Sequence, residues 1–423
     1  MEVIVERCAG LDVHKDTVMA CVRRPGAGVR RHQEVREFRT FSSSLRELRD
    51  WLAAEGVTQV AMEATGVYWR PVWDVLDLMS GAELLLCNAH HVKNLPGRKT
   101  DVGDAAWLAQ LLECGLLRGS FVAPPAIARL RDLTRYRKKL VEERTREIQR
   151  VQKLLETAGI KLDSVVSDVM GKSSRDMLDA LVAGVRDVDA MAKLARASLK
   201  RKIPALRLAL EGGFTEHHAL MLGLHLAHID QVTASIERLD GEVDREMAPF
   251  AEPLRRLCTI PGVGKRTAEV VVAEIGVDMS RFPTAGHLAS WAGMCPGNSE
   301  SAGKRHTGKA RKGNQALRSA LCEAAWCASR AKNTYLQAQY RRFCRRFGTR
   351  NEAKAIFAVA HSMLVIIWHL LAAEVEEGTG EIVTYTDLGA DWFDRRNDEA
   401  ARTRKLVQQL EQLGHTVTLD PAA

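Results

Sequence analysis

The sequence Ala-Gly-Leu-Asp-Val-His-Lys, residues 9–15, decides the fold of the N-terminal part. Its apolar beginning predicts a buried β-strand, and Asp12 comes where that strand would end. The sequence Gln-Val-Ala-Met-Glu-Ala-Thr-Gly, residues 59–66, repeats the arrangement with Glu63. An ionised carboxylate among such apolar residues is costly unless a partner or a metal ion offsets its charge. We therefore expect two carboxylates at strand ends, although Asp12 taken alone is also compatible with a turn.

A second pair of acids lies in Arg-Lys-Thr-Asp-Val-Gly-Asp-Ala-Ala-Trp-Leu-Ala, residues 98–109. Asp101 and Asp104 are three residues apart at the start of a helical pattern, which puts both side chains on one face of the helix. An isolated pair of this kind more often caps the helix and complements its dipole. The pair gains a second interpretation only because two strand-end acids precede it.

The four acids together have the composition of a magnesium site. Mg²⁺ prefers carboxylate oxygens and water, and none of the four candidates is Cys or His. Two such cations, roughly 4 Å apart, stabilise the attacking and the leaving oxygen when a phosphodiester is cleaved. The order of strand acid, strand acid and helix acids therefore predicts a metal-dependent phosphodiester-cleaving site composed of Asp12, Glu63, Asp101 and Asp104.

Residues 1–122 combine strands and helices in an order typical of a ribonuclease-H-like α/β domain. Antiparallel strands come first, and strands that alternate with helices follow. The predicted strands are 9–13, 17–22, 37–41, 59–64 and 83–87, and the predicted helices are 44–54, 71–79 and one that begins near residue 100. Domains of this kind place catalytic acids at neighbouring strand ends and on a late helix.

The rest of the chain is predicted to be mainly helical. With 423 residues, of which 46% are hydrophobic, the chain is long enough for two or three domains. Residues 123–250 are expected to form a helical arm, because proline is absent between Pro125 and Pro204 and apolar residues recur at helical spacing. A coiled coil is one form of such an arm, although arginines interrupt its apolar seam. Residues 251–375 are assigned to a C-terminal domain and 376–423 to a tail without an assigned role.

Positive charge is concentrated in one part of the chain. The net charge is +8, and residues 297–350 contain thirteen Lys or Arg against two Glu, a net +11. This surplus favours an anionic partner. The candidate nucleic-acid-binding cations are Lys265, Arg266, Lys304, Arg305, Lys309, Arg311, Lys312, Arg341, Arg342, Arg345 and Arg346.

The Pro-Gly-Val-Gly sequence at residues 261–264 joins two helical patterns. It is typical of a helix-hairpin-helix segment, in which glycine backbone approaches a phosphate and helix amides hold the anion. The neighbouring Lys265 and Arg266 would strengthen such a contact. The alternative is an ordinary tight turn between two packed helices.

Residues 292–314 place serines among glycines and cations, which predicts a loop rather than a helix. A serine close to Lys304 and Arg305 can contact phosphate through its hydroxyl, or it can be a nucleophile that nearby charge activates. The residues alone favour the first role. They do not separate Ser299 from Ser301.

Cysteine usage and hydropathy point to an intracellular protein. The nine cysteines form no Cys-x-x-Cys pair and have no histidine partners at zinc spacing, so reduced thiols are expected. The N-terminus is too short and too charged for a signal peptide. The longest apolar run, 358–373, is interrupted by His361, Ser362 and His369, and we do not expect it to span a membrane. A cytoplasmic, nucleoid-associated protein is predicted.

Several motifs in register resemble the DEDD-type insertion-sequence transposases across nearly the whole chain. These motifs are Leu-Asp-Val-His-Lys at 11–15, Glu-Ala-Thr-Gly at 63–66, Lys-Thr-Asp at 99–101 with Asp-Ala at 104–105, Ile-Pro-Gly-Val-Gly at 260–264, and Ser-Trp-Ala-Gly at 290–293 followed by Ser-Ala-Gly-Lys at 301–304. The resemblance implies a RuvC-like domain, a coiled-coil arm and a C-terminal transposase domain that carries a serine nucleophile. By position, it assigns Mg²⁺ binding to Asp12, Glu63, Asp101 and Asp104, and DNA attack to Ser301.

The resemblance also implies partners. Relatives of this type act as tetramers made of dimers, and a structured guide RNA pairs with donor and target DNA, so base pairing would set sequence specificity. The predicted function is excision and insertion of a mobile element by DNA cleavage and strand exchange. Two alternatives remain at this point, namely a junction-resolving nuclease that uses the acids alone and a nucleic-acid-binding scaffold without cleavage.

Overall fold

The structure, a computed structural model, separates into two compact units, Met1–Val122 and Ala123–Ala423. The residues it describes are 3–26, 30–64, 66–88, 103–297, 299–301, 304–308, 310–373, 383–395 and 399–419.

The first unit is built on a mixed sheet of five strands. The strands are β1 (Cys8–Val13), β2 (Thr17–Pro25), β3 (Arg31–Arg39), β4 (Gln59–Glu63) and β5 (Glu83–Cys87), and the helices are α1 (Ser42–Ala54), α2 (Trp69–Leu76) and α3 (Asp104–Glu113). Their order across the sheet is β3-β2-β1-β4-β5. The β1–β2 and β2–β3 pairs are antiparallel, whereas β4 runs parallel to both β1 and β5. The prediction of an α/β N-terminal part is confirmed.

Helices cover both faces of this sheet. Leu11 of β1 and Met62 of β4 are buried in one cluster with residues of α1 and α2. On the opposite face of the sheet, Cys8 of β1 and Ala61 of β4 are buried against α3. Central strands that are covered on both sides need apolar residues at successive positions. This requirement explains why the sequences before Asp12 and Glu63 are almost continuously apolar.

Strand β3 begins earlier than the sequence predicts. The expected strand was 37–41, but β3 spans Arg31–Arg39 and includes several charged residues. It is an edge strand, where charged side chains reach water and discourage pairing with another chain. Arg31 also forms an ion pair with the buried carboxylate of Glu113 at 2.5 Å, and Arg23 binds the same carboxylate at 2.9 Å. Alternating hydrophobicity could not reveal this strand.

Two long antiparallel helices dominate the first half of the second unit. They are α4 (Pro125–Thr157) and α8 (Glu216–Met247), and the shorter α5 (Lys172–Val182), α6 (Val188–Ala192) and α7 (Ile203–Leu210) lie between them in sequence. Arg129 pairs with Glu246 near one end, and Glu147 pairs with His225 farther along. The three short helices enclose a separate apolar core at the far end. We call α4 to α8 the arm and that far end the arm tip.

The second half of this unit is a helical body with one short hairpin. Its helices are α9 (Ala251–Cys258), α10 (Lys265–Ile275), α11 (Ala285–Trp291), α12 (Gln315–Ala328), α13 (Tyr335–Phe347) and α14 (Glu352–Ala372), and its hairpin strands are β6 (Ser299–Ser301) and β7 (Lys304–Thr307). Helices α15 (Trp392–Arg395) and α16 (Glu399–Gln412) follow. Short 3₁₀ turns lie at Leu162–Ser164, Ala197–Lys202, Ala248–Phe250, Met279–Arg281 and Thr349–Asn351. The mainly helical character predicted for residues 123–423 is confirmed.

Helix α14 is the central helix of the body. Among the described residues, it alone is long and apolar enough to cross a membrane, judged by length and composition. The sequence analysis, by contrast, considered the apolar run 358–373 too interrupted by polar residues to span a membrane. In the structure, Val359, Met363 and Ile367 are fully buried, and α14 packs against α9, α11, α12 and α13. A helix that is apolar on most sides is also what the core of a helical body requires.

The tail is docked onto the body over residues 383–395. The backbone amide of Tyr385 donates to Thr259 Oγ1 at 2.9 Å, and the amide of Tyr335 donates to Asp387 Oδ1 at 2.9 Å. The Phe393 ring stacks on Tyr335 with centroids 5.2 Å apart. The linker predicted at 376–380 lies outside the described residues.

Candidate functional site

The first two acids lie side by side at the carboxyl ends of adjacent parallel strands. In the β1–β4 pair Leu11 is in register with Met62, and Asp12 and Glu63 are the next residues on each strand. The Asp12 side chain is 25% exposed, and its Oδ2 lies 3.1 Å from Nε2 of His14. Strand register thus brings together two carboxylates that are 51 positions apart in sequence.

Glu63 has a buried thiol beside it. Its register partner on β5 is Cys87, and burial raises the pKa of that thiol to about 12, with the Glu63 carboxylate adding to the shift. Burial likewise raises the pKa of Cys8 to about 12 and that of Cys21 to about 11. A thiol with such a pKa stays protonated at neutral pH and is a poor nucleophile and metal ligand. These three cysteines are core residues of the sheet, and all nine cysteines, which lie within the described residues, are free thiols.

Helix α3 carries Asp104 to the same end of the sheet. A Cβ atom on Gly10 would lie 2.3 Å from the Ala105 oxygen and 2.4 Å from the Ala109 nitrogen, so only glycine permits the close packing of α3 on β1. Cys8, which lies farther along β1 from Asp12 than Gly10 does, donates through its Sγ to the Ala109 oxygen at 3.4 Å. The N-terminal end of α3, which begins with Asp104, is therefore directed toward the end of β1 that carries Asp12.

The fourth acid, Asp101, lies outside the described residues. Among those described, no three Asp, Glu, His or Cys side chains form a group that could hold a metal ion. The donor chemistry nevertheless fits a hard divalent cation, because the carboxylates supply oxygen ligands and the nearby Cys87 thiol stays protonated. The sequence-based assignment of a four-acid metal site stays a prediction.

An open cleft of about 480 Å³ is lined by Val13, the residue after Asp12, and by residues of the segment that follows β4. Its walls include His14 and Lys15 from the β1–β2 turn, and Gly66 and Tyr68 from the segment after β4. A cleft at the carboxyl ends of strands is a common place for a substrate in α/β folds. Lys15 can pair there with an anionic group.

Ser301 lies in the second unit, on the β6–β7 hairpin. Its backbone partner is Lys304, and the register shifts between Ser299 and Glu300. Sequence analysis predicted a loop in this region, and the structure gives it short paired strands. The reason is that the segment closes on itself: a Cβ atom on Gly313 would lie 2.4 Å from the Ala292 oxygen. Lys309 lies outside the described residues.

The end of this loop is tied to the arm through a fully buried carboxylate. Glu274 of α10 accepts two hydrogen bonds from Arg135 of α4, at 2.7 and 2.8 Å. Asn314 Nδ2 donates to Glu274 Oε2 at 2.6 Å, and its Oδ1 accepts the amide of Leu317 at 3.0 Å as the cap of α12. Arg131 adds a second cation to the group, 3.3 Å from Glu274 Oε2. A buried charge with several partners holds its elements in one arrangement.

Sequence analysis missed this role of Glu274 and a similar one for Glu269. Both are completely buried in α10, and Arg137 donates to Glu269 Oε2 at 2.7 Å. The available signal was a pair of acids within the apolar sequence of residues 268–275, where an ionised group needs a partner. The position of Arg137 on the apolar seam of α4 was the matching signal.

Two predicted nucleic-acid-binding cations already have protein partners. Lys265 Nζ lies 2.7 Å from Asp244 Oδ1, and its hydrogen bond lowers the pKa of that carboxyl below its usual value. Arg266 Nη2 lies 2.6 Å from Asp240 Oδ2. Both cations remain at least half exposed, so neither pair prevents a phosphate contact. The pairs do connect α10 to α8.

Close helix packing accounts for one glycine of the predicted helix-hairpin-helix segment. Gly262 has φ of +88°, and a Cβ atom there would lie 2.3 Å from the Ala324 oxygen. At Gly264, by contrast, a Cβ atom would meet no described atom within 4 Å, and α10 begins directly after this residue. The alternative interpretation, a tight turn between packed helices, therefore explains Gly262, while the amide end of α10 stays accessible at Gly264.

Helix α13 presents a row of exposed arginines. Arg341, Arg342, Arg345 and Arg346 follow helical spacing, so they form one strip. The guanidinium of Arg342 lies 4.8 Å from the centre of the Phe393 ring. Within the described part of the chain, none of these arginines forms an ion pair. Arg311 and Lys312, which follow the hairpin, are exposed as well.

Comparison with protein families adds independent information. A family model described as a transposase of the DEDD IS110 type matches residues 9–160, and a model described as the IS116/IS110/IS902 transposase family matches residues 254–341. Together they match more than half of the chain. The chain belongs to the IS110 transposase family. The first match includes Asp12, Glu63, Asp101 and Asp104, and the second includes Ser301.

Similar proteins are known in several bacteria. An insertion element IS110 protein of 43.6 kDa from Streptomyces coelicolor is 34% identical over 126 residues, 29% of this chain and 29% of that protein. The pilin gene-inverting proteins of Moraxella bovis and Moraxella lacunata are each 33% identical over 119 residues, 27% of this chain and 35% of theirs. The aligned segments thus span about a third of the length of these relatives.

Proposed function

We propose that this protein is a DNA recombinase that excises and inserts a mobile element by DNA cleavage and strand exchange. The observation that carries the proposal is the placement of Asp12 and Glu63 on adjacent strand ends, within a segment that matches the family's acid domain. One relative is named a pilin gene-inverting protein. Inversion and transposition both require cleavage and rejoining of strands.

A ribonuclease-H-like fold is part of the proposal. The order β3-β2-β1-β4-β5, with an antiparallel start and parallel β1–β4–β5, supports it. So does the packing of α3 across β1. In this arrangement Asp12, Glu63, Asp101 and Asp104 would hold Mg²⁺, which supplies stabilisation for the charge that develops on phosphate oxygens. Gly10 contributes indirectly, because it lets the helix that carries Asp104 approach the strand that carries Asp12.

Ser301 is the proposed nucleophile. Its Oγ attacks phosphorus, a serine–phosphate bond forms, and the bond to the displaced deoxyribose oxygen breaks, with the serine proton passing to solvent and that oxygen taking up a proton. The reverse reaction with a different strand end restores a phosphodiester, so no external energy source is needed. Lys304 is paired with Ser301 across the hairpin, and Arg305 follows it. Cations in these positions would stabilise the negative charge that develops at phosphorus.

The proposed partners are donor DNA, target DNA and a structured guide RNA, with the protein acting as a dimer that assembles into a tetramer on DNA in the cytoplasm, at the nucleoid. The charge distribution supports the nucleic-acid partners, because the net +11 of residues 297–350 exceeds the net +8 of the whole chain. Recognition of a phosphate backbone carries no sequence information by itself. A guide RNA would supply the sequence specificity through base pairing.

The test of this function is an excision assay with and without RNA. Protein purified from cells that contain the complete element should carry a discrete transcript and recombine a donor plasmid. Protein produced without the flanking DNA should lack that transcript and be inactive until it is added. Recombination by RNA-free protein would refute RNA guidance, and cleavage that yields only hydrolysed ends would favour a junction-resolving nuclease instead. Binding without any cleavage would favour a scaffold.

The arginine strip of α13 leads to a quantitative prediction. Replacing Arg341, Arg342, Arg345 and Arg346 with Gln should weaken DNA binding and flatten its dependence on salt. Each lost phosphate contact should reduce the log–log slope by roughly 0.9 for duplex DNA. Fluorescence anisotropy between low and moderate salt measures the slope. An unchanged slope would mean that the strip does not contact nucleic acid.

A further inference from the structure

The arm tip contains a cationic cleft that the proposed chemistry does not use. It has a volume of about 370 Å³ and lies between the start of α5 and the 3₁₀ turn Ala197–Lys202. Lys172, Arg201 and Lys202 line it, together with the hydroxyl-bearing Ser167 and Ser198. The cleft belongs to the tip core formed by the short arm helices rather than to the body that carries Ser301.

Positive charge is dense around this cleft. Residues 193–202 contain Lys193, Arg196, Lys200, Arg201 and Lys202 and no acid. Among the residues that line the cleft, all of them within the described part of the chain, Asp168 alone is acidic. Its Oδ1 accepts the amide of Met170 at 2.8 Å, which engages part of its charge locally. The cleft therefore has an uncompensated positive potential.

Some of these cations have structural partners, and others do not. Arg196 donates to Asp176 Oδ2 at 2.5 Å, while its backbone amide donates to Ser173 Oγ at 3.0 Å. Lys202 donates to the Val165 oxygen at 2.7 Å. These contacts hold the turn in place. By contrast, Lys172, Lys200 and Arg201 are exposed and form no ion pair with any described residue, so their charge is available to a partner.

The combination of lysine, arginine and serine hydroxyls in a concave surface matches a phosphodiester backbone. Such side chains supply most protein contacts to phosphate oxygens. The cleft lies far from the body, because α4 with its 33 residues is roughly 50 Å long. A polyanion bound at the body can reach the tip only if it is long, which duplex DNA and structured RNA are and a free phosphate is not.

We propose that the arm tip is a second, sequence-independent nucleic-acid-binding site, at which Lys172, Lys200 and Arg201 contact the phosphodiester backbone. This second site rests on the proposed function in one respect, namely that the protein's partner is a nucleic acid. The site would hold a long nucleic acid at a distance from the serine hairpin and contribute affinity without touching the reacting strand.

The experiment compares two triple variants of the full-length protein. The tip variant is Lys172→Gln, Lys200→Gln and Arg201→Gln. The matched control is Lys139→Gln, Arg146→Gln and Lys153→Gln, which removes three cations from α4 of the same arm that are exposed and form no ion pair with any described residue. Binding to a long duplex and to a structured RNA is measured by anisotropy over a range of salt concentrations, and thermal unfolding verifies that both variants are folded.

The tip variant should bind at least one of the two ligands about tenfold more weakly, with a salt slope reduced by about two to three units. The ligand that loses affinity identifies whether duplex or RNA occupies the cleft. The control variant should change the slope by less than about one unit. Equal losses in both variants, or none in the tip variant, would overturn the tip site while leaving the proposed recombinase function intact. Failure of the unmodified protein to bind either ligand would overturn both.

Discussion

Ser301→Ala is expected to abolish strand exchange while the protein still folds and binds DNA. Removal of the only proposed nucleophilic oxygen should lower the rate of strand joining by on the order of 10⁴-fold or more. The substitution leaves the backbone unchanged, and it is through the backbone that Ser301 pairs with Lys304 in the hairpin. A suicide substrate that blocks rejoining should trap a covalent protein–DNA adduct in the unmodified protein, and mass spectrometry should locate the phosphate on Ser301.

Ser299→Ala is the matched control for that variant. It lies on the same short strand, two residues away, and its removal should leave adduct formation within a few fold of the unmodified rate. Adduct on any residue other than Ser301 would contradict the assignment. Clean hydrolysis without an adduct would favour a nuclease that uses the acids alone.

Asp12→Asn and Asp101→Asn should each eliminate Mg²⁺-dependent strand cleavage. The amide keeps the size of the side chain but removes the charge that holds a hard cation, so we expect a loss of more than about 100-fold in cleavage rate. Affinity for DNA should change little, because the acids do not contribute positive charge to the interface. Cleavage assays across a magnesium titration, together with anisotropy, separate the two effects.

Asp16→Asn controls for a general loss of negative charge near the cleft. Asp16 is exposed and lines the same cleft as His14 and Lys15. It lies outside the proposed metal-binding set, and its substitution should preserve cleavage. Full activity of Asp12→Asn or Asp101→Asn would remove that acid from the metal site, and equal damage by Asp16→Asn would point to electrostatics rather than to metal binding.

The local sequence predicted more of the first unit than of the second. Apolar sequences that end in Asp12 and Glu63 predicted β1 and β4 because both strands are covered on two faces, so burial is visible at every position. Strand β3 was predicted only in part, since an edge strand with charged residues has no such signal. In the second unit, helical spacing predicted a helical arm, and the structure places the long helix α4, Pro125–Thr157, at its start.

The sequence by itself determined the secondary structure around the acids, the helical arm and the location of the charge surplus, because these depend on residues close together in the chain. Only the tertiary structure decided that Gly10 admits the helix of Asp104, that Glu274 joins Asn314 to Arg135, and that Lys172 lines the same arm-tip cleft as Arg201 and Lys202. Each of these depends on atoms from distant segments. Local patterns show that a side chain must be buried or paired, but chain packing selects the partner.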